Sequence, residues 1–224
     1  MSYTRGTSTI TQQGLVYHLD IPNPLCYHTT KCYSLVSNII GDIINNIAYS
    51  SDANSSLEFN GTNHYIDLNE NLNFINEQSI DVWIKADGVG HNYQRILDKS
   101  EGNDALNGYA LIYHPILNMV YYVVNNGITK DMVACNVSSN QWLNIIATKN
   151  NNMYKIYVNG ELCSQNTGTI NFSLTNTNLR IGAYTQSQER NFKGKLNNIK
   201  IYNKALTSKE VNVNYEALKG RFIN

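Results

Sequence analysis

Charge is scarce in this sequence. Only 15% of its 224 residues are charged, and the formal net charge is +0. Such a surface gives no long-range attraction for nucleic acid or for an anionic membrane, and no basic run reads as a phosphate-tracking patch. Long apolar runs are missing as well. No stretch approaches the roughly 20 residues that a membrane span needs, and the opening MSYTRGTSTITQQG lacks the apolar core of a secretory signal. These two absences predict a protein made in a cytoplasm and left there, without membrane insertion. The cysteines are poorly spaced for a metal. Cys26 and Cys32 have five residues between them rather than two, so neither a zinc knuckle nor a redox pair is spelled. All four cysteines, Cys135 and Cys163 included, are expected as ordinary buried thiols. Catalytic signatures are absent too: there is no GxSxG, no HExxH and no phosphate-cradling glycine loop.

What is present is a series of short alternating segments. With 42% hydrophobic residues the chain can bury a sizeable core, and an all-β sandwich of this length is commonly one domain. Residues 1–13 are polar and read as an N-terminal arm, mobile or docking; residues 14–224 read as one domain. Leu15, Tyr17 and Leu19 alternate with Val16 and His18, and Pro22 and Pro24 end that strand. The run Ile39, Ile40, Ile43, Ile44 and Ile47 fits a helical turn or a buried strand, and periodicity does not choose between them. Residues 57–68 read as a hairpin turning at Asn60-Gly61. In residues 79–86, Ile80, Val82 and Ile84 take one face while Asp81, Trp83 and Lys85 take the other. Residues 95–100 form a further strand, a hairpin is expected around Pro115, and residues 142–149 and 153–162 follow with Asn-rich turns. Strand signals recurring about every ten residues point to a sandwich rather than to βαβ units. Near the end, Thr207 and Glu210 spell a capping box, and Val211, Tyr215 and Leu218 share one helix face.

The segments FNGTNHYIDL, SIDVWIKA, RILDKS, GYALIY, WLNIIATK, IYVNGEL, LRIGAY and FKGKLNNIKIYNKALTSKEV follow one another in a familiar order. Over residues 56–215 the chain resembles the laminin-G-like (concanavalin A-like lectin-glucanase) jelly-roll domain, and the last two segments are the most specific. The resemblance implies an all-β sandwich of two antiparallel sheets with a short C-terminal helix. Members of that family bind carbohydrate, some through Ca2+ at the sandwich rim, or serve as structural modules, and the fold does not determine which. The opening GLVYHLDIPNP and the ending NYEALKGRF are similar to the flanks of a subset found in virion proteins of tailed bacteriophages. That likeness implies a fibre, tail or head-decoration protein located in the virion, a homo-oligomer whose partners are other virion proteins and host surface glycans. The hydrolase branch of the family carries its acids as ExDxE on one strand, which points them into one cleft. No such run occurs here, so no enzyme is expected.

Two candidate sites follow. Ca2+ takes six to eight oxygen ligands, and Asp98, Asp104 and Asn107 flank one loop near where the resemblance places a rim ion. Against a metal, Asn197-Asn198 stand where the family has an acidic pair. The five histidines are scattered and read as structural. For a sugar, aromatic rings with polar tips pack on pyranose faces. The loop-borne set Tyr93, Asn103, Tyr184, Gln186, Gln188 and Arg190 is the candidate ligand-binding surface. Most strand tyrosines, and Trp83 and Trp142, are expected in the core. The leading expectation is a non-enzymatic virion attachment protein; the alternative is a carbohydrate-binding lectin module, with or without Ca2+.

Overall fold

The computed structural model describes residues 9–102, 105–170, 175–185 and 189–222. In chain order the first strands are β1 (Leu15–Asp20), β2 (Tyr27–His28), β3 (Lys31–Tyr33), β4 (Ile40–Ile44), β5 (Ala48–Ser50) and β6 (Ser56–Asn60). Next come β7 (Tyr65–Asp67), β8 (Glu77–Ala86), β9 (Gln94–Lys99), β10 (Gly108–His114), β11 (Met119–Asn125) and β12 (Lys130–Asn136). The last are β13 (Leu143–Asn150), β14 (Met153–Val158), β15 (Glu161–Thr167), β16 (Arg180–Ile181) and β17 (Lys193–Tyr202), followed by helix α1 (Ser208–Leu218). They form two antiparallel sheets. One runs β15-β14-β13-β8-β17-β6-β5, with β1 paired to the second half of β17; the other runs β12-β11-β10-β9-β16-β7-β4-β3-β2. The expected jelly-roll sandwich with a C-terminal helix is the observed fold.

Alternation builds the core between the sheets. Tyr17, Leu19, Ile80, Val82, Ile199 and Ile201 reach it from the first sheet, and Leu97, Leu111, Tyr122 and Ile181 from the second. All ten side chains are buried. Two glycines of the most family-specific segments are needed where backbone and side chain crowd. A Cβ on Gly182 (φ +85°) would lie 2.4 Å from the Phe59 ring, and one on Gly194 (φ +141°) would lie 2.3 Å from the Lys85 carbonyl.

Asn60-Gly61 does not make a hairpin. β6 belongs to the first sheet and β7 to the second, so this turn carries the chain across the sandwich. The Asn60 carboxamide oxygen accepts from the backbone N–H of Thr62, Asn63 and His64, which bends a longer connection than two residues. The isoleucine run resolves as strand: Ile40 to Ile44 form β4, with Ile43 and the following Ile47 buried.

The outer face of the first sheet is covered by the C-terminal segment. α1 starts with the capping box, Thr207 Oγ1 accepting from Glu210 N and Glu210 Oε2 accepting from Thr207 N. Phe222 stacks on Trp83 with ring centroids 3.9 Å apart, and Tyr215 stacks on the same indole at 5.8 Å. Trp83 is therefore buried beneath the helix segment rather than between the sheets. Below it lies a polar cluster. Lys200 Nζ pairs with Asp81 Oδ2 at 3.1 Å, both side chains fully buried. Asn144 and Asn214 each donate to the same carboxylate. The end of the N-terminal arm docks here as well: Thr11 N donates to Asn214 Oδ1 and Tyr202 Oη donates to Thr11 O. Residues 1–8, the rest of that arm, lie outside the described residues.

The reading of all four cysteines as free thiols needs correction. Cys26 and Cys32 are free and buried, but Cys135 and Cys163 form a disulfide. Cys135 sits on β12 and Cys163 on β15, the edge strands of the two sheets. Only the packing of one sheet on the other brings them together, so no local spacing announces the pair. The same seam carries Asn166 Nδ2 donating to Met132 O, and Asp131 accepting from the backbone of Thr169 and Ile170.

Candidate ligand-binding site

The outer side of the second sheet over β9 to β12 holds the candidate site. Cross-strand pairing sets two rows there: Asp98, Ala110, Val123 and Met132, then Arg95, Ile112, Tyr121 and Ala134. Between them opens a groove of about 360 Å³, lined by Tyr93, Arg95, Ile112, Tyr121, Val123, Lys130, Met132 and Arg190. Ile112 and Val123 belong to a small apolar cluster separate from the main core, with Tyr121 packed against it.

Tyr93 stands at the groove wall, 46% exposed. Its φ is +60°, a conformation that costs energy for a bulky residue and that clusters at functional sites. Arg95 Nη1 donates to the Tyr93 carbonyl, and the ring meets His114 edge-on at 4.7 Å, with Tyr121 at 6.4 Å. On the other side the backbone of residue 190 is tied to β9, since Arg95 N donates to Arg190 O at 2.8 Å. The Arg95 and Arg190 guanidiniums lie 5.3 and 5.5 Å from the centroid of one ring, that of the buried Tyr184. Of the candidate sugar-binding set, the structure therefore gathers Tyr93 and Arg190 at the groove with Tyr184 beneath them. Asn103, Gln186 and Gln188 lie outside the described residues. Sequence reasoning missed Arg95, Ile112, Val123, Lys130 and Met132. Only alternation within β9 to β12 marks them, and that signal locates a groove once the four strands are known to be neighbours.

The calcium candidates are placed differently. Asp98 is fully buried, its Oδ2 2.8 Å from Arg95 Nε in an ion pair that falls outside hydrogen-bond angles. Its Oδ1 accepts from Ser100 and Thr185 Oγ atoms. Burial pushes the Asp98 carboxyl up to about 6 in spite of Arg95. Asn107 donates its amide to Glu101, and Asp104 lies outside the described residues. The Asp98 carboxylate is thus turned to Arg95, Ser100 and Thr185, and the Asn107 amide nitrogen to Glu101. Among the described residues, no group of three or more His, Cys, Asp or Glu side chains could hold a metal. Asn197 and Asn198 take structural roles instead. Asn197 donates to the carbonyls of Ala53 and Ser55 and accepts from Arg221, while Asn198 donates to Asp20.

A family description, the concanavalin A-like lectin/glucanases superfamily, matches residues 60–212. The chain belongs to this superfamily. A comparison with curated proteins returns no match. Among solved structures, the botulinum neurotoxin serotype D binding domain aligns at 16% identity with a TM-score of 0.71, covering 91% of this chain and 51% of that one. The serotype D ligand-binding domain in complex with N-acetylneuraminic acid aligns at 17% identity and TM-score 0.72, covering 91% and 50%. Domain 4 of AbnA, an extracellular arabinanase from Geobacillus stearothermophilus, in complex with arabinotriose, aligns at 18% identity and TM-score 0.70, covering 93% of this chain and 100% of that one. The chain spans about half the length of the neurotoxin domains and all of the arabinanase domain. At these identities the likeness shows the lectin-like fold.

Proposed function

We propose that this superfamily member is a non-enzymatic carbohydrate-binding module, and that the groove over β9 to β12 is where the sugar sits. The observation that carries the reading is Tyr93, an exposed ring held at positive φ by Arg95 beside a second tyrosine and an apolar floor. A pyranose offers an apolar face for such rings and hydroxyls for the Arg190 guanidinium at the rim. Two neighbours of this fold are solved with saccharides, arabinotriose and N-acetylneuraminic acid, which supports the same class of ligand here. A glycan array with the whole chain, repeated with Tyr93→Ala, tests the reading. Signal on at least one saccharide that falls roughly tenfold in the variant is expected, from the loss of about 1–2 kcal/mol of ring contact. An array silent for the native protein overturns it.

The flanks GLVYHLDIPNP and NYEALKGRF support a finer setting, a homo-oligomeric attachment protein of a phage virion that binds other virion proteins and turns its groove toward host glycans. The Cys135–Cys163 disulfide suits a particle that leaves a reducing cytoplasm. Peptide mass spectrometry of purified particles is the test. Stoichiometric copies per particle are expected, and absence from particles removes the virion setting while leaving the glycan reading untouched.

A further inference from the structure

The groove is positively charged in a chain that is neutral overall. Among its described lining residues Arg95, Lys130 and Arg190 carry charge, and none is acidic. Three carboxylates belong to its surroundings, one of them Asp131, which follows Lys130 on β12 and accepts from the backbone of Thr169 and Ile170. Asp98 lies behind the groove and is engaged with Arg95, Ser100 and Thr185. Glu189 is exposed and adjoins Arg190 in the chain.

Arg95 is the unusual member. It is 1% exposed, yet Nη2 makes no hydrogen bond, while Nη1 is committed to Tyr93 O and Nε faces Asp98. A buried guanidinium N–H without an acceptor is costly, and such groups in native proteins call for an explanation. Burial, and after it the neighbouring Arg190 charge, work against the Arg95 cation while Asp98 supports it. An anion entering the groove would satisfy Nη2 and relieve the repulsion between the two guanidiniums, each already positioned against Tyr184. The planar fork of arginine matches a carboxylate better than it matches a hydroxyl. Next to the fork, Tyr93 and Tyr121 give ring faces, and Ile112, Val123 and Met132 give an apolar floor. The ligand that satisfies both halves is a sugar ring bearing a carboxylate.

We infer that the groove recognises an acidic sugar, a sialic or uronic acid residue, with its carboxylate on Arg95 and Arg190 and its ring against Tyr93. This rests on the carbohydrate-binding reading above and adds the charge of the ligand to it. The test is titration calorimetry of the whole chain with sialyllactose, with a glucuronic acid disaccharide, with the methyl esters of both, and with neutral lactose. One of the acids binds, which names the source of the carboxylate, and its ester binds roughly ten- to a hundredfold more weakly, the size of a charge-assisted hydrogen bond. Arg190→Gln weakens the acid by a similar factor and leaves its ester unchanged. Glu189→Gln tightens the acid, most strongly at low salt. Both substitutions are at the surface, so the result does not depend on a variant of the buried Arg95 folding. Equal affinity for acid and ester overturns the inference and leaves the carbohydrate reading standing. Acid binding indifferent to Tyr93→Ala and Arg190→Gln also overturns it, by placing the sugar elsewhere. No binding of any saccharide removes both.

Discussion

Replacing Asp81 by Asn removes one charge from a site where three partners converge. The carboxylate is fully buried, as is Lys200 at 3.1 Å, and the amides of Asn144 and Asn214 donate to its two oxygens. In Asp81→Asn the ammonium of Lys200 stays inside without a counter-charge. Breaking a buried pair from one side costs about 3–5 kcal/mol, mostly the burial of the orphaned charge. For a chain of this size that corresponds to a drop in Tm of roughly 6–20 °C. Urea unfolding followed by tryptophan fluorescence reads it directly, because Trp83 lies on the neighbouring strand position under the helix segment. Adding Lys200→Met to Asp81→Asn should recover much of the loss, with a coupling of roughly 2–3 kcal/mol in the double-mutant cycle. If Asp81→Asn and Lys200→Met each cost under about 1 kcal/mol and simply add, the pair is hydrated in solution. The seating of the C-terminal segment over this sheet face would then be wrong.

Burial, chiefly, and the Lys200 charge after it hold His18 down at about 4, from a usual value of 6.5. The unfolded chain therefore takes up a proton that the folded one refuses, so the stability carried by neutral His18 is complete above about pH 6.5 and is lost toward pH 4. His18→Gln should make the stability difference from the native protein shrink over that window by up to about 3 kcal/mol, measured by urea midpoints at successive pH values. Asp98, raised to about 6 by burial, works in the opposite sense between pH 4 and 6, so the comparison must be native against variant. Cys135→Ser should cost about 3–4 kcal/mol, from opening a loop of 28 residues. A thiol assay in denaturant should count two thiols before reduction and four after; four before reduction would contradict the bond. Phe222→Ala should cost about 2–3 kcal/mol and shift tryptophan emission to the red, since Phe222 lies 3.9 and 5.1 Å from the rings of Trp83 and Trp142.

Local rules carried the fold a long way. Alternation in residues 79–86 placed Ile80, Val82 and Ile84 inward, and the Thr207–Glu210 spacing found the helix start, because both signals depend on near neighbours in the chain. What failed was non-local. Asn60-Gly61 carries a strong hairpin signal, yet β6 and β7 are claimed by strands more than a hundred residues away, β17 and β16. The Cys135–Cys163 bond needs both sheets in place before its strands meet. The same holds for the groove. Tyr93, Tyr184 and Arg190 stand out as loop-borne residues, but Arg95 looks like any cation in a strand until its burial and its incomplete bonding are seen.

The two outer faces of the sandwich carry different features. Thr11, Asn214 and Phe222 all pack on the outer side of the eight-stranded sheet, whereas the groove opens on the outer side of the other sheet. A scaffold that grips the chain near either end therefore holds it from behind. The groove then lies across the full thickness of the domain from that grip. In a symmetric array of such domains every groove would point to the exterior. On the carbohydrate-binding reading proposed above, weak single contacts with a sugar-coated surface would then act together, and avidity would arise from the way the chain is mounted.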